Sequence, residues 1–281
     1  MNSKVGYEWE VLFVNDGSKD DTLNIIKTLR SKDKRINFVN LSRNFGKEAA
    51  IYAGLEYSDS DYTVIMDADL QDPPSLLPKM FKALLEEGYD CAATRRSTRK
   101  NEPVIRSFFA RKFYKIMGRM SDVPVVDGAR DFRLMTSKYK EAVLSLCEKN
   151  RFTKGIFPWV GFNTKWFEYE NIERVAGDTK WSFWKLFLYS IDGIIGFSTK
   201  PLAFSAVFGV LTMFISFAFI IWLVIRKLVY NNSIEGWASL VCIILFISGI
   251  QLFSIGIIGL YISKIYTEVK DRPLYIIREE N

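Results

Sequence analysis

The chain is predicted to fold as an α/β domain with a mainly parallel sheet, followed by a hairpin of two membrane-spanning helices. Two patterns carry that prediction. Up to about residue 170, short β-rich runs alternate with stretches whose apolar residues recur at helical spacing, the arrangement that builds βαβ units. Beyond residue 200 come two runs of 25 and 28 residues without a charge, Pro201–Ile225 and Gly236–Ser263. At about 1.5 Å per residue, either run exceeds the ~30 Å hydrocarbon core of a bilayer.

The predicted strands are Glu10–Val14, Ile36–Leu41, Tyr62–Ala68 and Tyr89–Arg95. Between them DDTLNIIKTLRSK, GKEAAIYAGLEYS and PPSLLPKMFKALLEEG read as helices. In such a sheet ligands bind beyond the carboxyl ends of the strands, so the chemistry is expected in the segments that follow them. The organisation read from the sequence is an α/β domain over residues 1–170, juxtamembrane helices over 171–200, the hairpin over 201–263 and a tail over 264–281. Trp181–Lys200, rich in Trp, Phe and Leu with a few lysines, suits a helix lying among lipid headgroups.

A hairpin places both of its long flanks on one side of the membrane. Lys180, Lys185 and Lys200 precede it and Lys264, Lys270, Arg272 and Arg278 follow it, against Arg226 and Lys227 in the short loop. The positive-inside rule therefore puts the α/β domain and the tail in the cytoplasm. The first apolar stretch, VLFV, is too short for a secretory leader.

Composition narrows the chemistry. With no histidine, imidazole acid–base catalysis and zinc–histidine sites are excluded, and proton transfer falls to Asp, Glu, Lys, Tyr or Cys. Cys91, Cys147 and Cys242 are too few and too scattered for a disulfide framework. The net charge of +6 suits an anionic surface or a phosphorylated ligand. Nucleic acid is disfavoured because the arginines neighbour a carboxylate cluster and a membrane hairpin.

The segments after the strands are polar and specific. Asn15-Asp16-Gly17-Ser18 follows the first strand, either as a ribose- or base-binding turn or as a helix cap. After the third comes Asp67-Ala68-Asp69-Leu70-Gln71-Asp72-Pro73-Pro74. Like charges crowded at the end of an apolar strand are costly. A divalent cation, Mg2+ or Mn2+, bridging to a diphosphate would relieve that cost, with Gln71 as a neutral oxygen donor. Arg95, Arg96, Arg106 and Arg111 then offer forks that match phosphate oxygens, or else form a solvated basic face. Asp131 lies between Arg130 and Arg133, and Arg174 and Lys180 flank a glycine turn just before the juxtamembrane helix.

Five segments, VNDGSKDDT, LSRNFGKEAA, DADLQDPP, DFRLM and RVAGDTKWSFWKL, followed by the hairpin, resemble the polyprenyl-phosphate glycosyltransferases of glycosyltransferase family two. The bacterial undecaprenyl-phosphate glucosyl- and N-acetylglucosaminyltransferases resemble it more than the dolichyl-phosphate mannose synthases do. The resemblance implies a GT-A fold, a UDP-sugar donor, a polyprenyl phosphate acceptor, a divalent metal and a small homo-oligomer. By the same resemblance Asp16 contacts the nucleoside, Lys47, Asp67, Asp69 and Gln71 bind the nucleotide-sugar, and Asp69 is catalytic together with Asp131. Asp67, Asp69 and Gln71 bear on the metal, with Asp69 and Gln71 as ligands. Arg95, Arg106, Arg174 and Lys180 hold the lipid phosphate. Asp131 matches the acid proposed as catalytic base; orienting Arg130, Arg133 or the acceptor is an equally good role, because a lipid phosphate is already largely anionic near neutrality.

Two departures stand against the family pattern. Its members open with a strand and a helix ahead of the one equivalent to Glu10–Val14, where this chain has only MNSKVGYEW. Arg130 stands where relatives commonly carry glycine. The first departure sustains an alternative: a truncated membrane subunit that assembles with a flippase or an intact transferase. A processive polysaccharide synthase is excluded, since its Gln-x-x-Arg-Trp motif has no match at Gln71 or Gln251.

Overall fold

The computed structural model describes residues 6–69, 71–96, 126–169, 191–230 and 236–281. β1 (Val11–Asn15) leads through α1 (Thr22–Lys32) to β2 (Ile36–Leu41), and α2 (Lys47–Glu56) leads on to β3 (Tyr62–Ile65). A 3-10 turn at Pro74–Leu76 opens α3 (Leu77–Leu85). β4 (Cys91–Arg96), β5 (Ala129–Thr136), α4 (Ser137–Ser145), α5 (Thr153–Trp159) and β6 (Thr164–Tyr169) follow. Two long helices, α6 (Lys200–Tyr230) and α7 (Trp237–Val269), precede a last strand, β7 (Ile277–Glu280).

The strands make two sheets, ordered β1-β2-β7 and β3-β5-β4-β6. β1–β2 and β4–β6 pair in parallel, whereas β2–β7, β3–β5 and β4–β5 are antiparallel. The α/β class holds, but the sheets are mixed where strand–helix alternation predicts a mainly parallel one. The difference lies in β5, antiparallel to both β3 and β4, and β7, antiparallel to β2. β5 inserts between β3 and β4, and β7 comes back from α7. Among the described residues, β1 and β3 each keep one edge that pairs with no further strand.

α2 fastens the two sheets together. Ala53 packs on Val39 and Leu41 of the first sheet, while Ile51 and Leu55 pack on Cys91, Ala93 and Met135 of the second. β5 is buried on both faces. Phe132 and Leu134 meet Met80, Ala83 and Leu84 of α3, and Met135 meets Tyr139 and Phe157 on the other side.

Both long helices carry stretches of 27 residues, Lys200–Arg226 and Ile243–Val269, with mean hydropathy 2.6 and 2.3 and an apolar window that is 0% buried. By length and composition each can cross a membrane. A core helix of that apolarity would be covered by other elements; here Phe214, Ile215, Leu245 and Phe253 are exposed, as a lipid-facing surface requires.

The polar end of α7 is fixed to the α/β domain. The sequence ends the second span at Ser263, but the helix runs on to Val269 because its charged last turns have partners. The Lys264 ammonium lies 2.6 Å from Asp192. The Glu268 carboxylate accepts the backbone N–H groups of Lys149 and Asn150 at 2.9 and 3.1 Å. Lys149 in turn pairs with Asp271 at 2.8 Å. The chain then reaches β2, where β7 pairs through Val39–Glu280 to Leu41–Ile277, with Lys27 on Glu279 at 2.7 Å and the Tyr275 hydroxyl donating to Glu56 at 2.5 Å. The tail expected over 264–281 is therefore a helix end and a sheet strand. Removing residues 277–281 is expected to lower the thermal unfolding midpoint of the α/β domain by roughly 4–8 °C, about 2 kcal/mol for a domain of this size. Circular dichroism melting in detergent checks it.

Candidate active site

Two loops are clamped first. Gly17 sits at φ 65°, and a side chain there would meet the Arg43 carbonyl carbon and the Asn44 nitrogen at 2.5 Å. This close approach lets the Asp16 carboxylate accept the N–H of Phe45 at 2.7 Å with Oδ1 and of Gly46 at 2.9 Å with Oδ2. Asn44 donates back to the Asp16 carbonyl at 2.9 Å. Asp16, expected as a nucleoside contact, thus ties the β1–α1 loop to the β2–α2 loop with both of its oxygens. Gly46, at φ 100°, makes the turn into α2, where Lys47 is the first residue.

The acids come together through strand register. β3 and β5 pair with Ile65 opposite Arg133, so two residues further along each strand Asp67 lies across from Asp131. Lys47 reaches between them, its Nζ 2.7 Å from Asp67 and 2.6 Å from Asp131. Asp131 is the more deeply placed, its side chain 12% exposed against 35% for Asp67. Burial pushes the Asp131 carboxyl up, but Lys47, Lys154 and Arg133 outweigh it and hold the group below the usual carboxylate range. Burial likewise opposes the charge on Lys47, and the two carboxylates reverse that, keeping its ammonium well above its ordinary value. An acid held ionised this firmly is a poor proton donor and a strong hydrogen-bond acceptor.

Beyond Asp67 the loop closes on itself. Asp69 accepts the Gln71 N–H at 3.1 Å, and the Gln71 side-chain oxygen accepts from Arg130 at 3.3 Å. Asp72, buried, accepts the Tyr169 hydroxyl at 2.6 Å. Burial raises both groups, and the tyrosine is pushed up to about 12. Arg133, buried on β5, stacks its guanidinium 3.4 Å over the Phe157 ring and donates to the Arg130 carbonyl at 3.1 Å.

The structure thus gathers Lys47, Asp67, Asp69, Gln71 and Asp131 at one end of β3 and β5. Asp16 lies behind them, holding the turn that delivers Lys47. Arg95, expected at the lipid phosphate, pairs with Glu168 at 2.5 Å, its neighbour across the β4–β6 register. Arg106, Arg174 and Lys180 lie outside the described residues. Sequence reasoning did not single out Tyr169, which nothing in its local sequence marks, or Asp72, which the acidic loop does contain.

Among the described residues no three His, Cys, Asp or Glu side chains form a cluster that could hold a metal. Asp67 and Asp69 supply two hard oxygen donors, which fits an ion such as Mg2+ that takes one or two protein carboxylates and completes its shell with substrate phosphates. Gln71 would join such a set with the lone pair that its contact with Arg130 leaves over.

Carboxylates gathered at the carboxyl end of a strand stand where open α/β sheets bind their ligands, and the same chain carries two membrane-length apolar helices. Residues 3–143 match the family Glycosyl transferase family 2. CsbB of Bacillus subtilis is 43% identical over 277 residues, 99% of this chain and 84% of that protein. The SfII prophage-derived bactoprenol glucosyl transferase of Shigella flexneri is 40% identical over 275 residues, 98% of this chain and 89% of the relative. An uncharacterized glycosyltransferase of Synechocystis is 40% identical over 96% of the chain and 85% of its own length. The chain belongs to glycosyltransferase family 2.

The clamp at Asp16 generates a stability prediction. Asp16→Ala removes the acceptor of two backbone N–H groups and is expected to cost about 2–3 kcal/mol, as for hydrogen bonds to a charged group. Asp16→Asn, which offers one oxygen in place of two, is expected to recover only part of it. Urea unfolding followed by tryptophan fluorescence measures both; no loss in Asp16→Ala would show that the clamp does not hold the loops.

Proposed function

We propose that the protein transfers a sugar from a UDP-sugar to undecaprenyl phosphate at the cytoplasmic face of the membrane, with inversion at the anomeric carbon. The observation that carries this reading is the attachment of α7 to the acid-bearing domain through Glu268, which accepts the N–H groups of Lys149 and Asn150. It fixes the Asp67–Asp131 site relative to a membrane-length helix, as an enzyme joining a soluble donor to a lipid acceptor needs. The bactoprenol glucosyl transferases among its relatives favour glucose over N-acetylglucosamine. Both termini face the cytoplasm on this reading, and a small homo-oligomer and a flippase that moves the product belong to the same proposal.

In the reaction a phosphate oxygen of the acceptor bonds to the anomeric carbon from the face opposite the leaving group. The bond from that carbon to the diphosphate oxygen breaks, and its electron pair leaves with the nucleoside diphosphate. Mg2+ or Mn2+ held by Asp67 and Asp69 would neutralise charge on the diphosphate. Asp131, ionised, accepts a hydrogen bond within the site rather than supplying a proton. Arg106, Arg174 and Lys180 are the cations proposed for the lipid phosphate, with Arg95 after release from Glu168.

The test is transfer from radiolabelled UDP-glucose and UDP-N-acetylglucosamine to undecaprenyl phosphate in detergent with Mn2+. Glucosyl-lipid is the expected product, abolished by EDTA. Asp69→Asn is expected to lower kcat by about 10²-fold or more, the scale of a lost electrostatic contact to developing charge. No product from either donor would refute the proposed reaction; product that survives EDTA would refute the metal.

A further inference from the structure

We propose that Lys47 is a positioning residue for Asp131, acting through that carboxylate rather than as a binding contact of the donor. The inference rests on the glycosyl transfer proposed above and assigns one part of its machinery. The geometry supplies the reason. Lys47 has three N–H donors, and the acids on either side of it take its short contacts at 2.7 and 2.6 Å. Two of its three donors are thereby committed to the acids, and a single one is left over for any other acceptor. Asp131 Oδ2 takes the Lys47 contact, whereas its Oδ1 is buried with no hydrogen-bond partner among the described residues. The ammonium therefore fixes the plane of the carboxylate and leaves Oδ1 as the acceptor for a hydroxyl or N–H that the substrates bring.

The support behind Lys47 is built for placement. The Asp16 carboxylate holds the N–H of Gly46, and Lys47 follows directly as the first residue of α2. α2 is itself wedged between the two sheets by Ala53 and Leu55. The ammonium is thus delivered from a rigid element to the gap between neighbouring strands β3 and β5, and a misplaced Lys47 would turn Asp131 without touching the donor.

The test compares the full-length wild type, Lys47→Met, Lys47→Arg, Asp131→Asn and the double variant Lys47→Met/Asp131→Asn. Transfer kinetics are followed by thermal unfolding of the same proteins. Lys47→Met is expected to lower kcat by about 10²-fold, as for displaced catalytic groups, with the donor KM changed less than about threefold. Lys47→Arg, which keeps a cation between the acids, is expected to regain a large part of kcat. The double variant is expected to be no slower than Asp131→Asn alone, the non-additivity of residues acting as one unit. A raised donor KM with kcat intact, or multiplicative losses in the double variant, would overturn the proposal. If the wild type transfers no sugar, the proposed reaction fails, and the pairing is judged by unfolding. Coupled midpoint shifts for Lys47→Met and Asp131→Asn support it, and additive shifts overturn it.

Discussion

Bringing carboxylates together at the end of a buried strand costs free energy, because each is drawn from water toward a like charge. Here one ammonium offsets that cost. Lys47 sits between Asp67 and Asp131, and its placement draws on much of the domain: the Asp16 clamp on Gly46, the wedge of α2 between two sheets and the antiparallel register that sets β5 against β3. The acids are arranged by two neighbouring strands, and the cation is brought from a third direction. A site assembled this way has a cation already set between its carboxylates before any substrate arrives, so less binding energy is spent on organising it.

The polar network beyond Asp67 has a different character. Asp69, Gln71 and Arg130 are linked in sequence, and Asp72 is closed off under Tyr169. Burial of Asp72 under the Tyr169 hydroxyl anchors the far end of the loop while the Asp67–Asp69 end stays nearer solvent. The loop is thus held at its base and open at its working edge. Under the proposed reaction, that division suits a loop that accepts and releases a diphosphate without unfolding.

Much of this was legible in the sequence, and what was not has a physical cause. β2 falls on the residues its apolar run marks, and the starts of α1 and α2 lie within two residues of their predicted places. Asp67 and Asp131 were legible as separate motifs, but their pairing depends on β5, which no pattern revealed. In Arg130–Met135 a buried, ring-stacked arginine stands among fully buried apolar residues, so the alternation that betrays a half-buried strand is missing. β7 was hidden for another reason: Ile277–Glu280 is mostly charged and exposed, and only the edge of β2 makes it a strand. Asp16 was legible as an acid in the right place, yet its use as a double acceptor depends on a loop some thirty residues away in sequence that only the fold brings near.

β7 also orders events in time. The sheet it joins begins near the start of the chain, but β7 itself lies downstream of both long apolar helices. During synthesis, β1 and β2 therefore emerge and wait with the outer edge of β2 uncovered while α6 and α7 are still being made. The catalytic half of the molecule can reach its final hydrogen-bonded form only after the apolar pair has left the ribosome. Completion of the enzyme is in this way made contingent on completion of its anchor, and a chain interrupted within the hairpin lacks both.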